Sequence, residues 1–263
     1  MAFQVAYHTD IGIKKKTNQD GLLLKTAKTP DGEIGLFIIC DGMGGLSHGE
    51  LASATVIRGM SEWFDNDLPE LLGSGIAEDD FPGKLEERVR ELNTKILEYG
   101  EAANIKLGTT ITALLLLHKQ YYILQIGDSR AYSINNHLIK LTEDQTLVER
   151  ELQRGNITAE QARIDPRRNV LLQCVGATKD INVVITSGEV DSENMFMLCT
   201  DGFYHEITDE EMVTNLNPQH FTDEKQMKET LVQLVELAKE RQETDNISIL
   251  LAKRDMGKVL AFR

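Results

Sequence analysis

An apolar run that ends in a carboxylate and then in a cluster of glycines leaves a chain few ways to fold. Leu36-Phe37-Ile38-Ile39-Cys40 leads directly into Asp41-Gly42-Met43-Gly44-Gly45. Five apolar residues without polar alternation predict a strand covered on both faces, since a half-exposed strand alternates. The glycines after Asp41 let the backbone approach a ligand closely, so that a carbonyl can join the carboxylate as an oxygen donor. For a single copy, a plain Asp-Gly hairpin turn is the simpler reading.

The pattern is repeated. Met195-Phe196-Met197-Leu198-Cys199-Thr200 precedes Asp201-Gly202, Tyr121-Tyr122-Ile123-Leu124-Gln125-Ile126 precedes Gly127-Asp128-Ser129-Arg130, and Asp245 stands just before Asn246-Ile247-Ser248-Ile249-Leu250-Leu251. Four aspartates at the ends of four apolar strands are expected to meet at one edge of a sheet or sandwich, where divalent cations relieve their repulsion. Hard oxygen donors without clustered His or Cys favour Mg²⁺ or Mn²⁺ over zinc. The six histidines are scattered without ligand spacing, and His48 alone lies near the glycine turn.

Strands are expected at 3–9, 21–26, 109–118, 121–127, 131–134, 137–141, 181–186, 194–200 and 247–252, with a tight hairpin at Asn135-Asn136. Helical periodicity predicts helices over 47–64, opened by a Ser47/Glu50 capping box, over 84–103 on Leu85, Val89, Leu92, Ile96 and Tyr99, and over 223–241 on Met227, Leu231, Leu234, Val235 and Ala238. Residues 65–83, broken by Pro69, Gly73, Gly75 and Pro82, read as a connection. The polar, highly charged stretch 142–179 reads as a mobile flap that tunes substrate choice. Apolar strands need cover on both faces, so an α/β/β/α sandwich of two antiparallel sheets flanked by helices is expected. A doubly wound Rossmann-like sheet fits less well, because consecutive short strands lack intervening helices and no GxGxxG turn is present.

With 263 residues, 41% of them apolar, the chain is expected to form one domain over 1–263. A formal charge of −14 argues against nucleic acid or an anionic membrane surface as partner. Cys40, Cys174 and Cys199 are an odd number set in apolar surroundings and read as reduced core residues. The longest aliphatic run, 113–117, is too short to span a membrane, and residues 1–10 lack the features of a signal peptide, so a cytoplasmic protein is expected.

Asn18-Gln19-Asp20, Asp41-Gly42-Met43-Gly44-Gly45, Gly108-Thr109-Thr110, Gly127-Asp128-Ser129-Arg130, Thr200-Asp201-Gly202 and Asp245-Asn246 occur in that order over nearly the whole chain. In these segments the chain resembles the metal-dependent serine/threonine phosphatases of the PPM, or type 2C, family in its bacterial branch. The resemblance implies the same α/β/β/α sandwich and hydrolysis of phosphoserine and phosphothreonine in proteins by a metal-activated water. It implies that Asp41 bridges two Mn²⁺ or Mg²⁺ ions, that the Gly42 carbonyl binds the first with Asp20 holding a coordinated water, and that Asp201 and Asp245 complete the second. Asp128 would join Asp201 at a third, weaker ion. Lys15 stands where the family usually has a phosphate-binding Arg, and Met43 where animal members have a His proposed as general acid. A cognate Ser/Thr kinase, phosphoprotein substrates and a monomeric enzyme are expected from the same likeness.

Two cations about 3.5–4 Å apart can activate a water for in-line attack without a covalent intermediate. Competing chemistries leave no signature: the residues six after the cysteines are Leu46, Asp180 and His205 rather than Arg, and Asp65-Asn66-Asp67 does not continue as an aspartyl-phosphate motif. A P-loop is also absent. The alternative is a catalytically inactive phosphoprotein-binding module of the same fold, which would be marked by loss of a metal aspartate; none is lost.

Overall fold

The structure, a computed structural model, describes residues 2–43, 48–191 and 194–255. Strands β1 (Ala2–Asp10), β2 (Gly21–Thr29) and β3 (Gly32–Cys40) are followed by helices α1 (Gly49–Glu62), α2 (Leu68–Gly73) and α3 (Phe81–Ala103). Then come β4 (Ile111–Leu117), β5 (Gln120–Ile126), β6 (Arg130–Ile134) and β7 (Leu138–Lys140), and the short helices α4 (Leu147–Gln153) and α5 (Ala159–Ile164). Strands β8 (Val184–Glu189) and β9 (Met195–Cys199) lead to α6 (Asp201–Tyr204), α7 (Asp209–Asn215), α8 (Glu224–Glu240) and β10 (Ile247–Asp255).

The strands form two five-stranded sheets, ordered β1-β10-β9-β6-β7 and β2-β3-β4-β5-β8, with antiparallel pairing throughout. Three cores explain the unalternated runs. On β3, Leu36, Ile38 and Cys40 face α1 and α3, while Phe37 and Ile39 face the other sheet. On β9, Met195, Met197 and Cys199 face α8, while Phe196 and Leu198 join the layer between the sheets. Successive strand side chains point to opposite faces, so a strand between a sheet and a helical layer must be apolar at every position. This is the expected four-layer α/β/β/α sandwich, and all three cysteines are free and buried in it.

Local departures have physical causes. Residues 65–83 are helical rather than a connection: a π-helical turn spans Trp63–Asp67, α2 follows, and a 3₁₀ turn spans Glu78–Asp80. Pro69 and Pro82 sit in the first turns of α2 and α3, where a missing N–H costs nothing. Tyr99, expected on the inner face of α3, is 52% exposed, and Gly100 takes the buried position four residues after Ile96. The β6–β7 loop has three residues, since Ile134 pairs with Leu138. Ser47, proposed to open a capping box, lies outside the described residues, and the cap position of α1 is His48 at φ 77.

Candidate active site

Five aspartates are delivered to one end of the sandwich by strand ends. Asp41 follows β3, Asp201 follows β9 after Thr200, Asp245 precedes β10, Asp20 precedes β2, and Asp128 lies between β5 and β6. The Asp41 main chain is held by threonines. Its N–H donates to Thr110 Oγ1 at 2.9 Å, and its carbonyl accepts from Thr109 Oγ1 and the Thr110 N–H, each at 2.9 Å. Gly42 is hemmed in: a Cβ there would stand 2.5 Å from the Gln19 carbonyl oxygen and 2.6 Å from that of Gly49. Only glycine fits so close a backbone approach.

The loop that carries Lys15 and Asp20 is stapled to the Asp245 turn. The Asn246 side chain accepts from the Gln19 N–H at 2.9 Å and donates to the carbonyls of Ile11 at 2.9 Å and Thr17 at 3.1 Å. Glu243 braces the same turn, accepting from the N–H groups of Thr244 at 2.6 Å and Asp245 at 2.9 Å. Lys15 Nζ reaches Asp245 Oδ1 at 2.6 Å, so of the three adjacent lysines this one enters the cleft. Its burial opposes protonation, but the bond to Asp245 and the charges of Asp41 and Asp201 outweigh that and hold its pKa above the ordinary value.

The carboxylates feel one another. Burial first, then the charges of Asp201 and Asp245, raise Asp20 to about 7 against the pull of hydrogen bonds from Ser248 and Thr200. Burial and Asp245 raise Asp201 to about 6. Asp41 is pushed well above the carboxylate range by burial and by Asp20, Asp201, Asp128 and Asp245, and Asp128 by burial, Asp201 and Asp144. Desolvated like charges disfavour ionisation together, and a bound cation would relieve that repulsion.

Among the described residues no three His, Cys, Asp or Glu side chains form a ready-made metal cage. What fits a hard divalent ion is the donor set and its unmet demand. Oδ1 of Asp20 and Oδ1 of Asp201 are buried with no hydrogen-bond partner, although Asp20 Oδ2 accepts from Thr200 Oγ1 at 3.2 Å. A buried carboxylate oxygen left without partners costs free energy that a metal ion recovers. Gly44 and Gly45 of the predicted turn lie outside the described residues.

Other residues take places that sequence patterns did not assign. Arg130 is not beside Lys15; it is bound to Asp144, with Nη2 to Oδ2 at 2.5 Å, and its guanidinium lies 3.5 Å from the centre of the Tyr204 ring. His205 is buried 3.8 Å from Glu243 and 4.0 Å from Asp201, and burial with the charges of Arg168 and Arg130 lowers its pKa to about 4, so it is neutral near pH 7. Asn246, Thr109 and Thr110 stand in predicted motifs, yet nothing in the sequence tells which loop each holds, and Glu243, two residues before Asp245, lies outside them. His48 is exposed.

Residues 13–252 match the model of the family described as protein phosphatase 2C. The chain belongs to that family. Over 255 residues it is 29% identical to the serine/threonine phosphatase stp of Listeria monocytogenes serotype 4b, covering 95% of each chain. It is similar to the crystal structure of the serine/threonine phosphatase Stp1 from Staphylococcus aureus, with TM-score 0.85 and 25% identity over 97% of this chain and 96% of that one. It is also similar to the catalytic domain of the phosphatase PstP solved with two manganese ions, with TM-score 0.77 and 26% identity over 95% of this chain and 97% of that one. The protein phosphatase 2C assignment agrees with the six ordered motifs and with the two-sheet sandwich, and makes the protein a metal-dependent phosphatase.

Proposed function

We propose that this protein hydrolyses phosphoserine and phosphothreonine monoesters in phosphoproteins, with Mn²⁺ or Mg²⁺ held by Asp20, Asp41, Asp201, Asp245 and the Gly42 carbonyl. Asp128 with Asp201 is our candidate for a third, weaker ion. The observation that carries this reading is the pair of buried, unpartnered oxygens of Asp20 and Asp201 in a cleft that also holds Asp41 and Lys15. The family and its serine/threonine phosphatase relatives support the substrate class. When bound, the cations supply an activated water and offset charge on the phosphoryl oxygens.

The chain's own residues do the positioning. Strand ends and the Thr109/Thr110 hydroxyls fix Asp41, Asn246 fixes the loop of Lys15 and Asp20, and Lys15 takes one phosphate oxygen as a point charge. Met43 has no dissociable proton, so it cannot serve the leaving alkoxide. We read residues 1–263 as one catalytic domain with 142–179 as a flap, acting as a cytoplasmic monomer opposite a Ser/Thr kinase. No helix among the described residues is long and apolar enough to cross a membrane. The test is release of phosphate from an aryl phosphate and from a phosphothreonine peptide. Activity should require Mn²⁺ or Mg²⁺ and vanish in excess chelator; full activity in chelator, or none with either metal, would remove the reading. Binding of phosphopeptide without turnover would restore the non-catalytic module.

A further inference from the structure

Beside the aspartate cleft lies a groove of about 570 Å³ that the metal chemistry does not use. One wall is the end of α3 and the turn after it, with Leu97, Ile105 and Leu107; the other carries Leu171 and Leu172; Met43 stands at its head. Met43 is two residues from Asp41, and its N–H donates to the Gly108 carbonyl at 3.1 Å. The same ladder joins groove to cleft: Gly42 bridges to Thr109, Thr109 bridges to Val175, and the Thr109 hydroxyl bonds the Asp41 carbonyl.

Hydrogen bonds hold both walls. Buried Asn93 of α3 accepts from the Gly176 N–H at 2.7 Å and donates to the Thr178 carbonyl at 2.9 Å. The Leu172 N–H donates to the Gln145 carbonyl at 2.8 Å, and the Ile105 N–H to that of Gly100 at 3.0 Å. Yet Leu172 is left 44% exposed on this pinned backbone. A concave lining that is mostly apolar, with Glu101, Asn104, Lys106 and Gln173 among its polar members and an exposed leucine beside the catalytic cleft, can receive an apolar group.

We infer that this groove takes an aliphatic side chain of the protein substrate, close in sequence to the phosphorylated residue, and so selects phosphosites with an apolar neighbour. The inference rests on the proposed phosphatase function. Its occupant follows from continuity with the cleft: a phosphate held by the aspartate site and Lys15 places the flanking substrate residues beside Met43, and side chains along an extended peptide are spaced about 3.3 Å per residue. Contacts of this kind raise kcat/KM for a protein substrate without touching the reacting atoms.

The test compares a polar phosphothreonine peptide with versions carrying one leucine at successive positions on either side, each assayed with Mn²⁺. At one or two positions leucine should raise kcat/KM about tenfold, the factor that partial burial of such a side chain supplies. Leu172→Asp should bring that preference down to near unity, while Ile139→Ser, at an apolar site on β7 that is 53% exposed, should preserve it. Equal kcat/KM for all peptides, or an undiminished leucine preference in Leu172→Asp, overturns the groove while leaving the phosphatase intact. A wild type that turns over no phosphopeptide overturns both. Sedimentation of wild type and Leu172→Asp gives the remaining arm: loss of a dimer in the variant, with the leucine preference intact, assigns the groove to a second copy of this chain instead.

Discussion

Two clusters of charge flank Asp128, and they are built on opposite principles. Around Arg130 the protein satisfies its own charges. The guanidinium Nε lies 3.0 and 3.1 Å from the two oxygens of Asp144, Nη1 donates to the Tyr132 hydroxyl at 3.1 Å, and the Tyr204 ring covers one face. Around Asp41 it does not. Asp41, Asp201 and Asp245 share the charge of Lys15, and a buried oxygen of Asp20 and one of Asp201 have no hydrogen-bond partner. The same residue types therefore serve structure where they are balanced within the chain and chemistry where the balance must come from outside. With its donors committed to Asp144 and Tyr132, Arg130 serves structure rather than a phosphate.

The largest contrast should come from neutralising one member of each cluster. Asp201→Asn should cut metal-dependent kcat/KM by about a thousandfold, the scale of several kcal/mol of lost transition-state stabilisation. In the metal-free protein the same change removes a repelling charge, so its Tm should rise, while the Tm gain on adding Mn²⁺ should nearly disappear. Thermal unfolding with and without Mn²⁺ reads both; a metal-free Tm that falls would show that Asp201 is balanced within the fold after all. Arg130→Ala should do the reverse. It leaves nearly buried Asp144, whose side chain is 7% exposed, with only Lys140 at 3.5 Å as a cation, and should cost about 3 kcal/mol in urea unfolding. A loss under about 1 kcal/mol would mean that solvent reaches Asp144 and the clusters differ less than the geometry indicates.

Acidity offers a milder probe of the same difference. Asp20 and Asp201 are raised to about 7 and about 6 from 3.8, so the fold binds more protons than the unfolded chain between about pH 4 and 7. An aspartate raised in this way favours the fold below its unfolded value, and that contribution is lost as pH climbs through the folded value. Metal-free stability should therefore fall from pH 4 to 7, offset in part by His205, whose lowered value makes the fold bind fewer protons over much of that range. Saturating Mn²⁺ should flatten the slope by binding the ionised forms. Urea unfolding across that range decides it, and stability rising with pH in chelator would refute the unmet charge.

Smaller again is the expected effect of Asp128, which stands between the two clusters. Asp128→Ala should retain Mn²⁺ at the core pair by calorimetry while losing about tenfold in kcat, a modest share of what metal-assisted charge stabilisation supplies. Wild-type turnover would assign Asp128 to the Arg130 side, as a turn acid.

How far these clusters could be read from sequence follows from what fixes each. Asp41, Asp201 and Asp245 announce themselves through period: a strand apolar at every position can only lie between a sheet and a helical layer, and a carboxylate at its end must emerge at the sandwich edge. The Arg130–Asp144 pair has no such mark, because it joins residues fourteen apart across a turn and each reads locally as surface charge. Asn246 was hidden for the same reason. Its partners in 11–19 are set by tertiary closure of β1 against β10, which no local window contains, whereas Glu243 bonds N–H groups one and two residues on and no periodic pattern marks that turn. Tyr99 and the helical 65–83 segment failed differently: four-residue steps carry Gly100 rather than Tyr99 inward, and a proline in a first turn starts a helix rather than ending one.

The smallest effect tests whether Lys15 belongs to catalysis or only to charge balance. Lys15 and Asp245 are 31% and 30% exposed, so their pair is partly screened and contributes little to stability. Its consequence is competition, since Asp245 bound to Lys15 has less to offer a cation. Lys15→Ala should raise KM for a phosphopeptide several-fold, about 1 kcal/mol of lost attraction, yet lower the Mn²⁺ concentration needed for half-maximal activity. Lys15→Arg, with a planar fork able to take two phosphate oxygens, should keep or improve KM. Lys14→Ala, at an exposed position, should change neither. Opposite movements of KM and metal requirement are the signature of a group that serves phosphate at the expense of metal. If both rise together in Lys15→Ala, the lysine is a strut for the Asp20 loop, and the phosphate clamp must be sought elsewhere in the cleft.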